Sequence, residues 1–170
     1  MLSIQISDIK DFMSHLLSKD TFDHFYFIEA SIKMGVSYQI QGRINEGFYD
    51  TSVEQTLNRE FCYWKEIRHR IFDIIKGKRL PLSCKIVLGL SKQSISYLIA
   101  HNNSSFREED IEGIYVNILY DPKNLLITTG ISYKNFSLDK SLEYAFDEYL
   151  VKFLKEKAVN AYNEQKPKEK

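Results

Sequence analysis

From Ile114 onward the chain alternates apolar and polar residues, with Ile114, Val116, Ile118 and Tyr120 on one side. It turns at Asp121 and Pro122, and Leu125 to Ser132 returns as a partner strand. A period of two with a proline-bearing turn specifies an antiparallel hairpin. A second hairpin is expected earlier. Phe25 to Lys33 reads as extended, with Tyr26, Ile28, Ala30 and Ile32 on one face. After a turn at Met34 and Gly35, Val36, Tyr38, Ile40 and Ile44 point one way and Ser37, Gln39, Gln41 and Arg43 the other. Strands of this kind need cover on the apolar face and tolerate water on the other.

The cover is present as four helical stripes. Ser7 or Asp8 opens the first, with Ile9, Phe12, Met13, Leu16 and Leu17 inward, and Leu2 to Ile6 precedes it as a short strand. Phe61, Trp64, Ile67, Ile71, Ile74 and Ile75 mark the second at three- and four-residue steps. Gly77 suits the end of that helix, and Pro81 blocks continuation. Cys84 to Leu90 is a buried strand, and the Ser91 hydroxyl suits the start of a third helix carrying Ile95, Leu98 and Ile99. Ser137 or Asp139 opens the last, with Leu142, Ala145, Phe146, Tyr149, Leu150, Phe153 and Leu154 inward. Asn45 to Asn58 and Asn102 to Asp110 read as loops.

These elements make an α+β fold, an antiparallel sheet with helices on one face. Residues 1–164 read as one globular domain and 165–170 as a charged tail. Strand, helix and hairpin occur in that order twice, in Leu2 to Ile44 and in Lys85 to Ser132. The repeat is one of pattern, with little residue identity, and a duplicated β-α-β-β unit of this kind resembles one domain of a sliding DNA clamp.

Charge narrows the functional classes. Twenty-three basic residues balance 23 acidic ones, against a protein that coats nucleic acid by charge alone. The distribution is uneven, because Lys65, Arg68, Arg70, Lys76, Lys78, Arg79 and Lys85 face only Glu66 and Asp73 in their stretch. Arg68, Arg70, Lys76, Lys78 and Arg79 are the candidate binding residues, since guanidinium and ammonium groups neutralise phosphates. The simpler reading is a solvated helix face with cations at the negative end of its dipole. Gly77, Lys78 and Arg79 lack the Gly-rich loop and Ser or Thr of a nucleotide-binding P-loop.

Other chemistries have weaker support. His15, His24, His69 and His101 follow no zinc spacing, and Cys62 and Cys84 are better read as buried thiols than as nucleophiles. Glu108, Glu109 and Asp110 lack the staggered ligands of a calcium loop. Phe25, Tyr26, Phe27, Tyr63 and Trp64 could stack on bases, but their spacing suits a core, with Phe27 and Tyr63 the two whose exposure decides. Neither a cofactor nor a metal is expected. The amino terminus has no basic and long apolar regions of a leader, and no run could span a bilayer. A cytoplasmic protein is expected, with no membrane partner.

The segments IKDFMSHLL, DTFD, YWKEIR, IKGKRLPLS and LDKSLEYAFDEYLVKFL resemble those of an uncharacterised bacterial family of about this length. The resemblance covers nearly the whole chain and implies no activity. The residues point to a non-enzymatic binding module for a macromolecular partner, nucleic acid or protein, with a clamp-like role as its sharpest form. The alternative is an enzyme or small-ligand binder with a pocket between sheet and helices.

Overall fold

The computed structural model describes residues 1–49 and 58–159, together with the backbone of one further strand at 162–165. The elements, in chain order, are β1 (Ser3–Ile6), α1 (Ile9–Leu17), β2 (Tyr26–Lys33), β3 (Ser37–Gln41), α2 (Trp64–Ile75) and β4 (Ser83–Gly89). They continue with α3 (Lys92–His101), β5 (Ile111–Tyr120), β6 (Leu125–Tyr133), α4 (Ser141–Glu156) and β7 (Tyr162–Gln165). Most of the expected loop from Asn45 to Asn58 and all of the tail beyond Gln165 lie outside the described residues. Gln165 itself, expected in the tail, pairs with Ser3 across β7 and β1.

Local chemistry sets the ends of the elements. The Asp8 carboxylate accepts the Asp11 N–H (3.0 Å) at the start of α1, and the Ser91 hydroxyl accepts the Ser94 N–H (3.2 Å) at the start of α3. In α2 the Glu66 carboxylate reaches back to the Tyr63 N–H (2.6 Å). The Asp139 carboxylate accepts the Ser141 N–H (2.8 Å) where α4 begins. Asp121 turns the β5–β6 hairpin by accepting from the Lys123 and Asn124 N–H groups (2.8 and 2.9 Å).

The fold is α+β. One antiparallel sheet has the order β3-β2-β4-β5-β6-β1-β7. Ile4, Ile6, Phe27, Ala30, Ile32, Ile86, Leu88, Val116, Ile118, Leu125 and Ile127 are buried on one face. Phe12 and Leu16 of α1, Trp64 and Ile71 of α2, Ile95 and Leu98 of α3, and Leu142, Phe146, Leu150 and Leu154 of α4 join them in a single core. The opposite face carries Ser31, Lys33, Lys85, Asn117, Leu119, Leu126 and Thr128, which are exposed or half-buried. Strand, helix and hairpin do recur in order, as β1-α1-β2-β3 and β4-α3-β5-β6. Their neighbours differ, because β4, β5 and β6 lie side by side whereas β1 pairs with β6 rather than with β2.

One face assignment changes. A register shift between Phe27 and Glu29 breaks the alternation of β2, so Phe27 joins Ala30 and Ile32 in the core while Tyr26 and Ile28 are half-buried. Gly42 makes the shift possible. Its N–H donates to the Ile28 carbonyl (2.8 Å), and a Cβ there would lie 1.8 Å from the Phe27 oxygen. The Phe27 N–H donates to Cys62 (2.8 Å), so the segment before α2 pairs with the start of β2.

A clasp between α1 and α2 fixes the helical layer. The Trp64 indole, fully buried, donates to the Leu16 carbonyl (2.8 Å). Arg68 forks onto both Asp23 oxygens (2.9 and 3.2 Å) and also donates to the Leu17 carbonyl (3.3 Å). The guanidinium thus satisfies a carbonyl at the end of α1, where the helix dipole favours a cation. Beneath it, the buried His15 ring lies 2.8 Å from the Thr21 hydroxyl and 3.2 Å from the Lys19 ammonium.

Substitutions in the clasp and on the open face of the sheet should differ in cost. Asp23→Ala strands a buried guanidinium and is expected to cost about 3–5 kcal/mol in urea denaturation. Lys85→Ala, which removes the exposed pair with Glu29, should cost under about 0.5 kcal/mol. Burial, and then the Lys19 charge, hold the His15 pKa below its ordinary 6.5. On acidification the unfolded chain therefore takes up this proton first. The His15 contribution is complete above 6.5 and is lost as pH falls through the lower folded value. Thermal melts across that range should fall with acid in the wild type and show a shallower fall in His15→Gln.

Candidate functional site

The chain from Lys76 to Leu82 leaves α2 at one end of the sheet and is tied down at both ends. The Lys76 N–H donates to the Phe72 carbonyl (2.8 Å), and Lys76 itself is extended (φ −60°, ψ 145°). Gly77 follows at φ +146°, a region that side chains rarely adopt, so the break after the helix depends on glycine here. Pro81 is buried, and the Leu82 N–H donates to the Lys33 carbonyl (2.8 Å) at the end of β2.

This anchoring turns the flanking residues outward. Leu80 and Leu82 are 67% and 68% exposed on either side of the buried proline. Val36, in the β2–β3 turn three residues beyond Lys33, is 64% exposed. Lys78 and Arg79 are exposed and, among the described residues, have no ion-pair partner. Lys76 pairs with Asp73 (2.7 Å) on a wet surface, a contact too weak to withdraw it from a partner. Aliphatic side chains beside free cations make a corner suited to an apolar contact ringed by acidic groups.

Of the five expected binding residues, Lys76, Lys78 and Arg79 lie together on this connector, and Arg70 is exposed on α2. Arg68 is elsewhere in chemical terms. It is 8% exposed and three of its five N–H groups are taken by Asp23 and Leu17, so burial and these partners keep it from the surface that a phosphate would meet. The helical stripe contained the signal for this, because Arg68 follows Trp64 by four and precedes Ile71 by three. The exposure of Leu80 and Leu82 was not signalled. They obey no period, and only the burial of Pro81 decides their direction.

The remaining candidates resolve individually. Phe27 and Trp64 are fully buried 5.7 Å apart, whereas Tyr63 is half-buried and sits under the Arg59 guanidinium (4.6 Å). Burial pushes the Cys84 thiol up to about 12 and also raises Cys62, which leaves both protonated and poor nucleophiles near neutrality. Among the described residues no group of three His, Cys, Asp or Glu could hold a metal ion. His24, His69 and His101 are exposed, the last stacked on Tyr97 (3.8 Å). Glu108 accepts from Ser96, and Asp110 from the Arg107 N–H, at the start of the short helix Glu108–Asp110.

Open clefts occur beside residues 43–49 and between α3 and β5. Their charged side chains are largely spoken for. Arg43 pairs with Glu60, Arg59 forks onto Glu66 (2.5 and 2.8 Å), and Arg107 pairs with Glu109 (3.3 Å). No helix among the described residues is long and apolar enough to cross a membrane.

No curated protein and no solved structure matches the chain, so a sliding-clamp domain is not among its structural neighbours. One family model does match, over residues 15–162, a span that takes in α1 from His15, the clasp, the connector and α4. The chain therefore belongs to DUF5721, a family of unknown function.

Proposed function

We propose that this protein is a non-enzymatic binding module that docks a protein partner on the connector corner. The observation that carries the reading is the exposure of Leu80 and Leu82 beside the unpaired cations Lys78 and Arg79. Aliphatic groups held outward by a buried proline are dry contact area already ordered before binding, which lowers the entropy lost on association. The cations around them select a partner with acidic residues around an apolar anchor. We place this activity in the cytoplasm, where Cys62 and Cys84 stay free thiols.

Nucleic acid is the second reading, favoured by the free charge of Arg70, Lys78 and Arg79. With Arg68 occupied, however, the phosphate-facing set is reduced, and aliphatic side chains add little to a phosphate contact.

Photo-cross-linking in cells separates the readings. A photoreactive residue at Leu82 should give one discrete protein adduct, absent with the same residue at exposed Tyr97 and lost in Lys78→Glu with Arg79→Glu. Equal labelling at both positions would overturn the corner as a docking site. Labelled oligonucleotides in a salt series provide the other arm, with Lys76, Lys78 and Arg79 changed to alanine. Affinity that falls with salt and drops in this variant would assign the corner to nucleic acid instead.

A further inference from the structure

β3 is an outer strand of the sheet, and its five residues, SYQIQ, contain no charge and no proline. Natural sheets commonly blunt such an edge with Lys, Pro or a bulge, because unpaired N–H and C=O groups recruit another strand. The pairing of β3 with β2 fixes which groups are unpaired. The Gly42 N–H donates to Ile28 and the Met34 N–H to Val36, so residues 36, 38, 40 and 42 turn their backbone groups toward β2. Ser37, Gln39 and Gln41 turn theirs outward.

We infer that this edge joins a second copy of the chain through antiparallel pairing about a two-fold axis at Gln39. The strand is self-complementary in this register. Gln39 exchanges both backbone bonds with Gln39 of the partner subunit, and Ser37 does so with the partner's Gln41, which satisfies every outward group of the three residues. On the helix-covered face Tyr38 then stands opposite the partner's Ile40, twice, an aromatic–aliphatic pair of the kind that stabilises sheets. Both keep surface to bury, because Tyr38 is 38% exposed and Ile40, packed against the margin of the core, is only half-buried.

The charge pattern agrees with this orientation. On the open face Glu29 pairs with Gln41 and Lys33 with Ser37, so Glu29, which also meets Lys85 (3.5 Å), and Lys33 lie in the two rows flanking that of Ser31 and Gln39. Antiparallel pairing aligns Glu29 with the partner's Lys33 in one row and Lys33 with the partner's Glu29 in another. Parallel pairing would align like charges. The helices also fit. α2 packs on β2, one strand in from the edge, with Trp64 against Phe27. The two α2 helices would therefore stand about 14 Å apart, at three strand spacings of about 4.8 Å. Helices in direct contact lie about 8–10 Å apart, and the difference is space for Tyr38 and Ile40 of each copy. This edge is separate from the connector corner, and its failure would leave the docking proposal standing.

Sedimentation velocity over a concentration series tests the pairing. Wild-type protein should double its mass as concentration rises. Gln39→Pro should stay monomeric with an unchanged circular dichroism spectrum, because its N–H takes no part in the β2 pairing and proline is tolerated on such an edge. Gln39→Cys should form a disulfide-linked dimer on mild oxidation, since paired Cα atoms about 5.5 Å apart lie within disulfide reach. A wild type that is monomeric throughout, with no covalent dimer in Gln39→Cys, would overturn the inference and leave the edge to a strand of another protein. A folded Gln39→Pro dimer would overturn it too.

Discussion

The position of nearly every feature discussed depends on the fork between Arg68 and Asp23. A guanidinium that is 8% exposed must have its donors satisfied, and it finds two carboxylate oxygens and a helix-end carbonyl. Those partners lie in α1 and in the turn after it. The ion pair therefore locks the rotation of α2 about its own axis and its place over β2, with Trp64 as the second point of attachment. Two anchors one turn apart leave α2 little freedom. What it presents at its end, the connector and its exposed leucines, is placed as a consequence.

Four of the five family-like segments converge on the same region. IKDFMSHLL supplies the Leu16 and Leu17 carbonyls, DTFD supplies Thr21 and Asp23, and YWKEIR supplies Trp64, Glu66 and Arg68. IKGKRLPLS is the connector that leaves the clasp. The family model spans this assembly from His15 onward. A fixed helical layer and a fixed exit from it are thus one physical unit, which is why charge in this stretch divides into a structural part and a presented part.

That division explains what was legible in the sequence. Element order, the one-faced helical cover and the caps at Asp8 and Ser91 follow from periodicity and from short-range hydrogen bonds, and both are local. The parity of β2 was not legible, because the shift after Phe27 depends on Gly42, fifteen residues away, letting the backbones close up. Likewise a count of cations treats Arg68 and Arg79 alike. The helical stripe through Trp64 and Ile71 turns Arg68 inward, but the carboxylate that holds it there is Asp23, forty-five residues distant, which no local pattern contains. The strand order was beyond reach for the same reason: β1 crosses to β6, which splits the two halves that their common element order suggests.

The cover itself has a limit with consequences for binding. α2 is the helix on the β2 side, and β3 lies one strand further out with Tyr38 exposed, as is Val36 in the turn before it. Ile40 packs against the margin of the core, and Tyr38 continues the same face with much of its side chain uncovered. Burial of the remaining surface would stabilise the strand by roughly 25 cal/mol per Å² of apolar area, and the described chain covers it only in part. An uncharged edge strand with a partly uncovered apolar face is costly to keep in water, whereas the wet faces of β4 and β5 carry Lys85 and Asn117. The same arrangement places a row of free backbone groups beside that apolar surface. Strand pairing would satisfy the first and bury the second in one step, which neither a small ligand nor a phosphate could do.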